Sequence, residues 1–96
     1  MKRSNERSLS AVLEDLVRSY GMREKMDELD ISTAWEQLVG PMIAKHTERL
    51  RLRRGRLSIK VDSAPLRHEL TYQREGLAAL VNQRLQREVV KEIVIE

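Results

Sequence analysis

The chain has 96 residues, 41% of them hydrophobic and 34% charged, a length that fits one domain and leaves no room for two. It contains no cysteine, which excludes disulfides, thiolate metal sites and cysteine nucleophiles. No apolar run is longer than residues 77–81, so no transmembrane helix or signal-peptide core is predicted, and we expect the protein in the cytosol. Residues 1–7 are polar and are expected to be a flexible N-terminus, and residues 8–96 are expected to form the single domain.

Aromatic residues are few. Tyr20, Trp35 and Tyr72 are present and there is no phenylalanine. Modules that grip single-stranded nucleic acid by stacking use several exposed rings, so a stacking platform is not predicted. Trp35 is expected in the core, because it shares a helical stripe with Leu38 and Met42.

The positive charge is concentrated in residues 48–60, which hold six basic residues against the single acid Glu48. The rest of the chain has twelve basic and fourteen acidic residues, so this stretch supplies the whole of the net charge of +3. Five of the six bases are arginines, whose guanidinium group binds phosphate through two parallel hydrogen bonds. One interpretation is a solvated sheet face. The other is a binding site for nucleic acid or an acidic partner, formed by Arg49, Arg51, Arg53, Arg54, Arg56 and Lys60.

Two amphipathic helices are predicted in the first half of the chain. From Ser8, apolar residues at steps of three and four predict a helix that ends at Gly21. Thr33 and Glu36 have the spacing of a capping box, which predicts the start of a second helix. The Gly-Pro pair at 40–41 predicts either a kink in this helix or a break after which the proline starts a new one.

A β-hairpin is the clearest local pattern. Residues 49–53 and 57–61 alternate between aliphatic and polar or basic side chains, which is typical of strands with one buried face. Arg54 and Gly55 lie between them as a tight turn in which Gly55 supplies a positive φ. The predicted hairpin has an aliphatic inner face and an arginine-rich outer face.

A third helix is predicted from its cap at Ser63 to Leu85, with close packing or a bend at Gly76, and a last strand over residues 89–95. The order α-α-β-β-α-β predicts a two-layer α+β domain, with helices on one face of a three-stranded mixed sheet and the arginines on the other. The hairpin strands are antiparallel. If the last strand shares their sheet, a right-handed crossover places it parallel to the second strand, but the sequence leaves its neighbour open.

No catalytic or cofactor-binding group of residues stands out. His46 and His68 have no cysteine or paired acids at metal-ligand spacing; His46 is expected to cap the second helix and His68 to lie on the surface. The four glycines are isolated, so no phosphate-binding loop is predicted. Glu69 and Glu75 are six residues apart on a helix and do not face each other. We therefore expect a non-enzymatic protein without metal or cofactor.

Five segments, taken in order, resemble the DciA family: WEQLVG at 35–40, IAKHT at 43–47, GRLSIKV at 55–61, SAPLRHEL at 63–70, and LVN at 80–82 followed by Leu85. The resemblance covers nearly the whole chain and is closest to short single-domain members. It implies a K-homology-like domain and a part in bacterial DNA replication, where family members deliver or operate the replicative helicase. Two features depart from related patterns. The basic C-terminal extension of longer members does not follow Glu96, and the Gly-x-x-Gly loop of true K-homology domains is missing.

The predicted function is that of an accessory protein that binds the replicative helicase and single-stranded or forked DNA through the basic hairpin. Such binding weakens with salt and reads little sequence. In one alternative, the protein is an adaptor whose arginines meet an acidic patch on another protein, with no intrinsic affinity for nucleic acid. Another alternative, an RNA-binding or ribosome-associated role, rests on the fold analogy alone.

Overall fold

The computed structural model describes residues 8–96, so the predicted flexible segment at residues 1–7 lies outside the described residues. The sheet has the order β1-β2-β3, with β1 antiparallel and β3 parallel to β2. The α+β class with a three-stranded mixed sheet is confirmed, and the neighbour of the last strand is the second strand. The K-homology likeness stays a prediction. The elements are α1 (Leu9–Val39), α2 (Pro41–Lys45), β1 (Thr47–Arg53), β2 (Arg56–Val61), α3 (Ala64–Thr71), α4 (Arg74–Leu85) and β3 (Glu92–Ile95).

Helix α1 is one continuous helix of 31 residues where the sequence predicted two. Its start is as predicted, because the Ser8 hydroxyl accepts a hydrogen bond from the Ala11 amide at 3.2 Å. The predicted end at Gly21 and the predicted start at Thr33 are both wrong. A glycine inside a helix costs only about 1 kcal/mol relative to alanine, and residues 22–30 are mostly good helix formers. The helix therefore continues through both signals.

The Gly-Pro pair separates α1 from α2. Gly40 has a φ of 91°, a conformation open to glycine at little cost, and its amide donates to the Glu36 carbonyl at 2.8 Å. Pro41 then occupies the first position of α2, where its missing amide hydrogen costs nothing. Of the two alternatives left open by the sequence, the structure has the break.

The predicted third helix is divided into α3 and α4. The division lies at Tyr72 and Gln73, not at Gly76, which lies inside α4. The amides of Tyr72 and Gln73 donate to the carbonyls of Glu69 and Leu70, three residues back, and this tighter turn ends α3. No glycine or proline stands at the division, so the local sequence carries no signal for it.

The core lies between the inner face of the sheet and the helices. The aliphatic inner face of the hairpin is confirmed, and Trp35 is buried as predicted. Its Nε1 donates to the hydroxyl of Thr47 at 3.0 Å, which satisfies the one polar atom of the ring. Within residues 8–96, no helix combines the length and the apolar character that crossing a membrane requires. The core residues are Ile31, Trp35, Leu52, Leu57, Ile59, Val61, Leu70, Leu77, Val81, Val90 and Ile93.

Strand β3 starts three residues later than predicted, because the residues before it bond elsewhere. The amides of Val89 and Val90 donate to Asn82 Oδ1 at 2.9 and 2.8 Å, and Asn82 Nδ2 donates to the Val90 carbonyl at 2.8 Å. The Lys91 amide then donates to the Gly55 carbonyl at 2.7 Å. Asn82 and the hairpin turn thus guide the chain into the edge position beside β2.

Asn82→Ala should lower the free energy of unfolding by about 1–3 kcal/mol, because it leaves two amides and a carbonyl of a part-buried loop without partners. Urea denaturation followed by circular dichroism measures the change. Gln83→Ala, at the exposed next position of α4, is the matched control and should change stability by less than about 0.5 kcal/mol. Equal losses in the two variants would contradict this role of Asn82.

Candidate functional site

The strand pairing separates the two faces of the hairpin. Residues directly opposite each other in an antiparallel pair lie on the same face of the sheet. The outer pairs are Arg49 with Lys60, Arg51 with Ser58, and Arg53 with Arg56, and they alternate with the buried leucine and isoleucine pairs. Arg54 lies in the turn. We use the term basic face for this group of exposed cations, Arg49, Arg51, Arg53, Arg54, Arg56 and Lys60.

A β-bulge at the start of β1 makes this arrangement possible. The pairing shifts between Thr47 and Arg49, so that Glu48 is the extra residue. Thr47 pairs with Val61 on the inner side, and there its hydroxyl accepts from Trp35 and donates to a carbonyl of α2 at 2.7 Å. Without the bulge, Thr47 and Arg49 would share one face, because alternate residues of a strand do. The bulge lets β1 begin in the core and continue with its arginines outward.

The hairpin turn has a positive φ at both central residues, 52° at Arg54 and 79° at Gly55. This is the pattern of a type I′ turn, whose twist suits the flanking strands. The prediction for Gly55 is confirmed, whereas the positive φ of Arg54 was not predicted. A side chain in this conformation is strained, and the Glu24 carboxylate accepts a hydrogen bond from the Arg54 amide at 2.5 Å.

Two glutamates of α1 accept hydrogen bonds from the open edge of β1 and from the turn that follows it. Glu24 accepts from the Arg54 amide, and Glu28 accepts from the Leu52 amide at 2.7 Å. Amides at alternate positions of an edge strand point away from the sheet. Four residues of a helix rise about 6 Å and two residues of a strand about 7 Å, so the two spacings agree. The Glu-x-x-x-Glu spacing was visible in the sequence, but nothing local identified the strand that it binds.

Half of the basic face is paired with acids of the same chain. Each of these arginines keeps more than half of its side chain exposed, and ion pairs of this kind contribute about 0–1 kcal/mol. The pairs are Arg49 with Glu96 at 3.7 Å, Arg53 with Glu28 at 3.4 Å, and Arg56 with Glu92 at 3.1 Å. The pairs orient the guanidinium groups and leave them accessible to a stronger anion.

The other half of the basic face carries uncompensated charge. Arg51, Arg54 and Lys60 have no ion pair with any residue in the range 8–96 that the structure describes. Glu92 and Glu96 border the basic face on the β3 side, and Glu24 and Glu28 border it at the open edge of β1. Of the six predicted site residues, these three are the most available to a ligand.

A cleft of about 230 Å³ lies beside the hairpin turn, between α1 and the segment that precedes β3. Asp27 lines it and is 5% exposed, and its carboxylate accepts a hydrogen bond from the Arg87 guanidinium. This ion pair joins α1 to the segment between α4 and β3 and was not predicted from the sequence. Both acids and bases line the cleft, so its charge does not select one sign of ligand.

The two histidines lie where the sequence placed them. His46 is the C-cap of α2, and its Nδ1 is 2.8 Å from the Asp62 carboxylate. His68 is exposed and contacts the ring of Tyr72 edge to face, with ring centroids 5.1 Å apart. Among residues 8–96, the structure brings together no group of three His, Cys, Asp or Glu side chains suited to a metal ion.

A sequence model of one protein family matches residues 8–95 of the chain. The family is described as "Dna[CI] antecedent, DciA". The match confirms the resemblance drawn from the sequence and covers both the long helix and the whole sheet. No curated protein sequence matches the chain at a significant level.

The Arg54→Asn variant tests the turn conformation separately from the charge of the basic face. Asn-Gly is the favoured pair for a type I′ turn, so we expect an unchanged or higher Tm although one cation of the basic face is removed. Arg51→Asn removes the same charge from the middle of β1, where asparagine is a poor strand former, and should lower the Tm. Thermal melts followed by circular dichroism compare the two. A larger fall for Arg54→Asn would contradict the assigned turn.

Proposed function

This chain belongs to the DciA family, whose role is in DNA replication and the loading of the replicative helicase, and we propose that it is a non-enzymatic, cytosolic accessory protein that binds this helicase and DNA. The family match over residues 8–95 carries the helicase part of the proposal. The basic face carries the DNA part, because it presents five exposed cations on one side of the sheet and a sixth, Arg54, in the turn.

The arrangement of the basic face favours a phosphate backbone as the ligand. Arg49, Arg51 and Arg53 form a row along β1 with a spacing of about 7 Å, and Lys60 and Arg56 lie beside the two ends of that row on β2. Rows of cations follow the backbone of single-stranded nucleic acid. Arginine in particular suits phosphate, because its planar fork matches two oxygens.

Aromatic residues contribute little to this face. Trp35 is buried, and Tyr20 and Tyr72 lie on or beside helices, so no ring stands among the outward residues of the strands. Base stacking is therefore not part of the proposed contact. The expected binding is of modest affinity, independent of sequence and strongly dependent on salt.

Arg51→Glu with Lys60→Glu should weaken binding to single-stranded and forked DNA by at least about tenfold. The slope of log affinity against log salt should also become shallower, by about 0.7 for each single-strand phosphate that the variant no longer neutralises. Fluorescence anisotropy of labelled DNA at several salt concentrations measures both quantities. Lys25→Glu with Arg74→Glu is the matched control, because it changes the net charge equally at exposed positions of α1 and α4 that lie outside the basic face.

The other outcomes of this experiment would contradict the proposed DNA-binding site or replace it by one of the alternative functions. Equal losses in the two double variants would show an effect of net charge alone and contradict a site on the basic face. No measurable DNA binding by the unmodified protein, together with a complex with the helicase, would replace the proposal by the adaptor function. Tighter binding of structured RNA than of DNA at the same salt would replace it by the RNA-binding function.

The helicase part is tested by co-elution with the replicative helicase of the same organism on a sizing column, at low salt and with nucleotide present. We expect a stable complex, and its absence under these conditions would contradict the proposed partner. The Arg51→Glu, Lys60→Glu variant should retain the complex if the basic face serves DNA. Loss of the complex in this variant alone would place the helicase on the basic face.

A further inference from the structure

The N-terminal half of α1 extends beyond the body of the protein. The molecule measures 63 Å along its longest axis and only 22 and 20 Å along the others, and α1 is about 46 Å long. The first residue of α1 to hydrogen-bond with the sheet is Glu24, and the first buried residue is Asp27. Tyr20 and Arg23 still line the cleft beside the hairpin turn, and the helix before Tyr20 has little of the described chain to pack against.

This projecting part carries an apolar stripe that continues the core-facing side of α1. Five helical turns correspond to 18 residues. The buried positions Asp27, Ile31, Ala34 and Trp35 have counterparts at that distance before them, at Leu9, Leu13, Leu16 and Val17. The same face that packs on the sheet in the second half of α1 is thus apolar and uncovered in the first half. The stripe consists of Leu9, Val12, Leu13, Leu16, Val17 and Tyr20, exposed by 37% to 74%.

The charge around the stripe excludes a charged ligand. No charged residue lies within the stripe, and Glu14, Asp15 and Arg18 flank it. Asp15 and Arg18 form an ion pair with each other at 3.1 Å. Nucleic acid or an acidic peptide would gain nothing from this surface, whereas an apolar helix would bury it.

The order of the stripe residues is symmetric along the helix. Leu9 and Tyr20, Val12 and Val17, and Leu13 and Leu16 are three pairs, each equally distant from the midpoint between residues 14 and 15. An antiparallel helix of the same sequence that crosses at this midpoint places the two members of every pair opposite each other. A surface that is complementary to itself in this way is what a two-fold interface requires.

We propose that the stripe pairs with the stripe of a second copy of this chain, antiparallel, to form a two-fold dimer. The exposed parts of these six side chains amount to roughly 600 Å² per copy, so their complete burial in two copies would remove about 1,200 Å² from solvent, which is the lower limit of specific interfaces. The body follows the C-terminal end of each stripe. The two bodies and their basic faces therefore lie at opposite ends of the dimer, and both faces stay free.

Sedimentation equilibrium of the full chain from about 1 to about 500 µM tests the dimer. We expect a monomer–dimer equilibrium that Leu13→Glu with Leu16→Glu weakens by at least about tenfold. Leu29→Glu with Met42→Glu is the matched control, since these side chains are similarly exposed, at 65% and 62%, and lie outside the stripe, in the second half of α1 and in α2. The control should dimerise like the unmodified protein. If the glutamate variant does not fold, as judged by circular dichroism, Leu13→Ala with Leu16→Ala replaces it.

The orientation is tested by cross-linking, because the chain has no cysteine of its own. A short bismaleimide should join Leu13→Cys to Leu16→Cys in a mixture more efficiently than either variant to itself. In the sedimentation experiment, the proposal is overturned if the protein is monomeric at every concentration, if the stripe variant still dimerises, or if the control variant loses dimerisation equally. In the cross-linking experiment, it is overturned if identical positions are joined more efficiently than positions 13 and 16. A stripe variant that loses only the helicase complex, from a protein that stays monomeric, would assign the stripe to the helicase instead.

Discussion

The hydrogen bonds that the amides of Leu52 and Arg54 donate to the carboxylates of Glu28 and Glu24 fix the hairpin against the long helix. They satisfy the two amides that an edge strand would otherwise expose near the turn, and they hold Arg54 in a conformation that costs energy on its own. Because they bind β1 only near its end at the turn, they determine how much of α1 covers the sheet and how much projects beyond it. Both proposed binding surfaces follow from this placement.

The basic face depends on a second constraint, the β-bulge at Glu48. The bulge allows the Thr47 hydroxyl to face the core, where it accepts a hydrogen bond from the Trp35 ring, while the next outward positions of β1 carry arginine. Placing many cations on one sheet face costs electrostatic energy. The acids that partner three of these arginines reduce this cost, and the exposed remainder is available for a ligand.

The two proposed surfaces are chemically opposite, and they lie on different parts of the molecule. The backbone of the basic face is held in two paired strands above a packed core. The stripe on α1 is apolar, and helical order there depends on what covers it, since an isolated helix of this length is marginal in water. A dimer through the stripe would present two basic faces to one DNA molecule, which raises the effective concentration of the second contact.

The sequence by itself determined the features that depend on neighbours in the chain: the hairpin with its two faces, the turn at Gly55, the burial of Trp35 and an interruption of the helix at the Gly-Pro pair, although not whether it is a kink or a break. Strand alternation, helical periodicity and the backbone freedom of glycine are properties of neighbouring residues, so these features can be predicted without knowing the fold. Only the tertiary structure decided that α1 continues through Gly21, that Asn82 holds the entry to β3, and which arginines have acid partners. These depend on contacts between residues that are distant in sequence or on the packing of whole elements, and the free energy of such contacts outweighs weak local preferences.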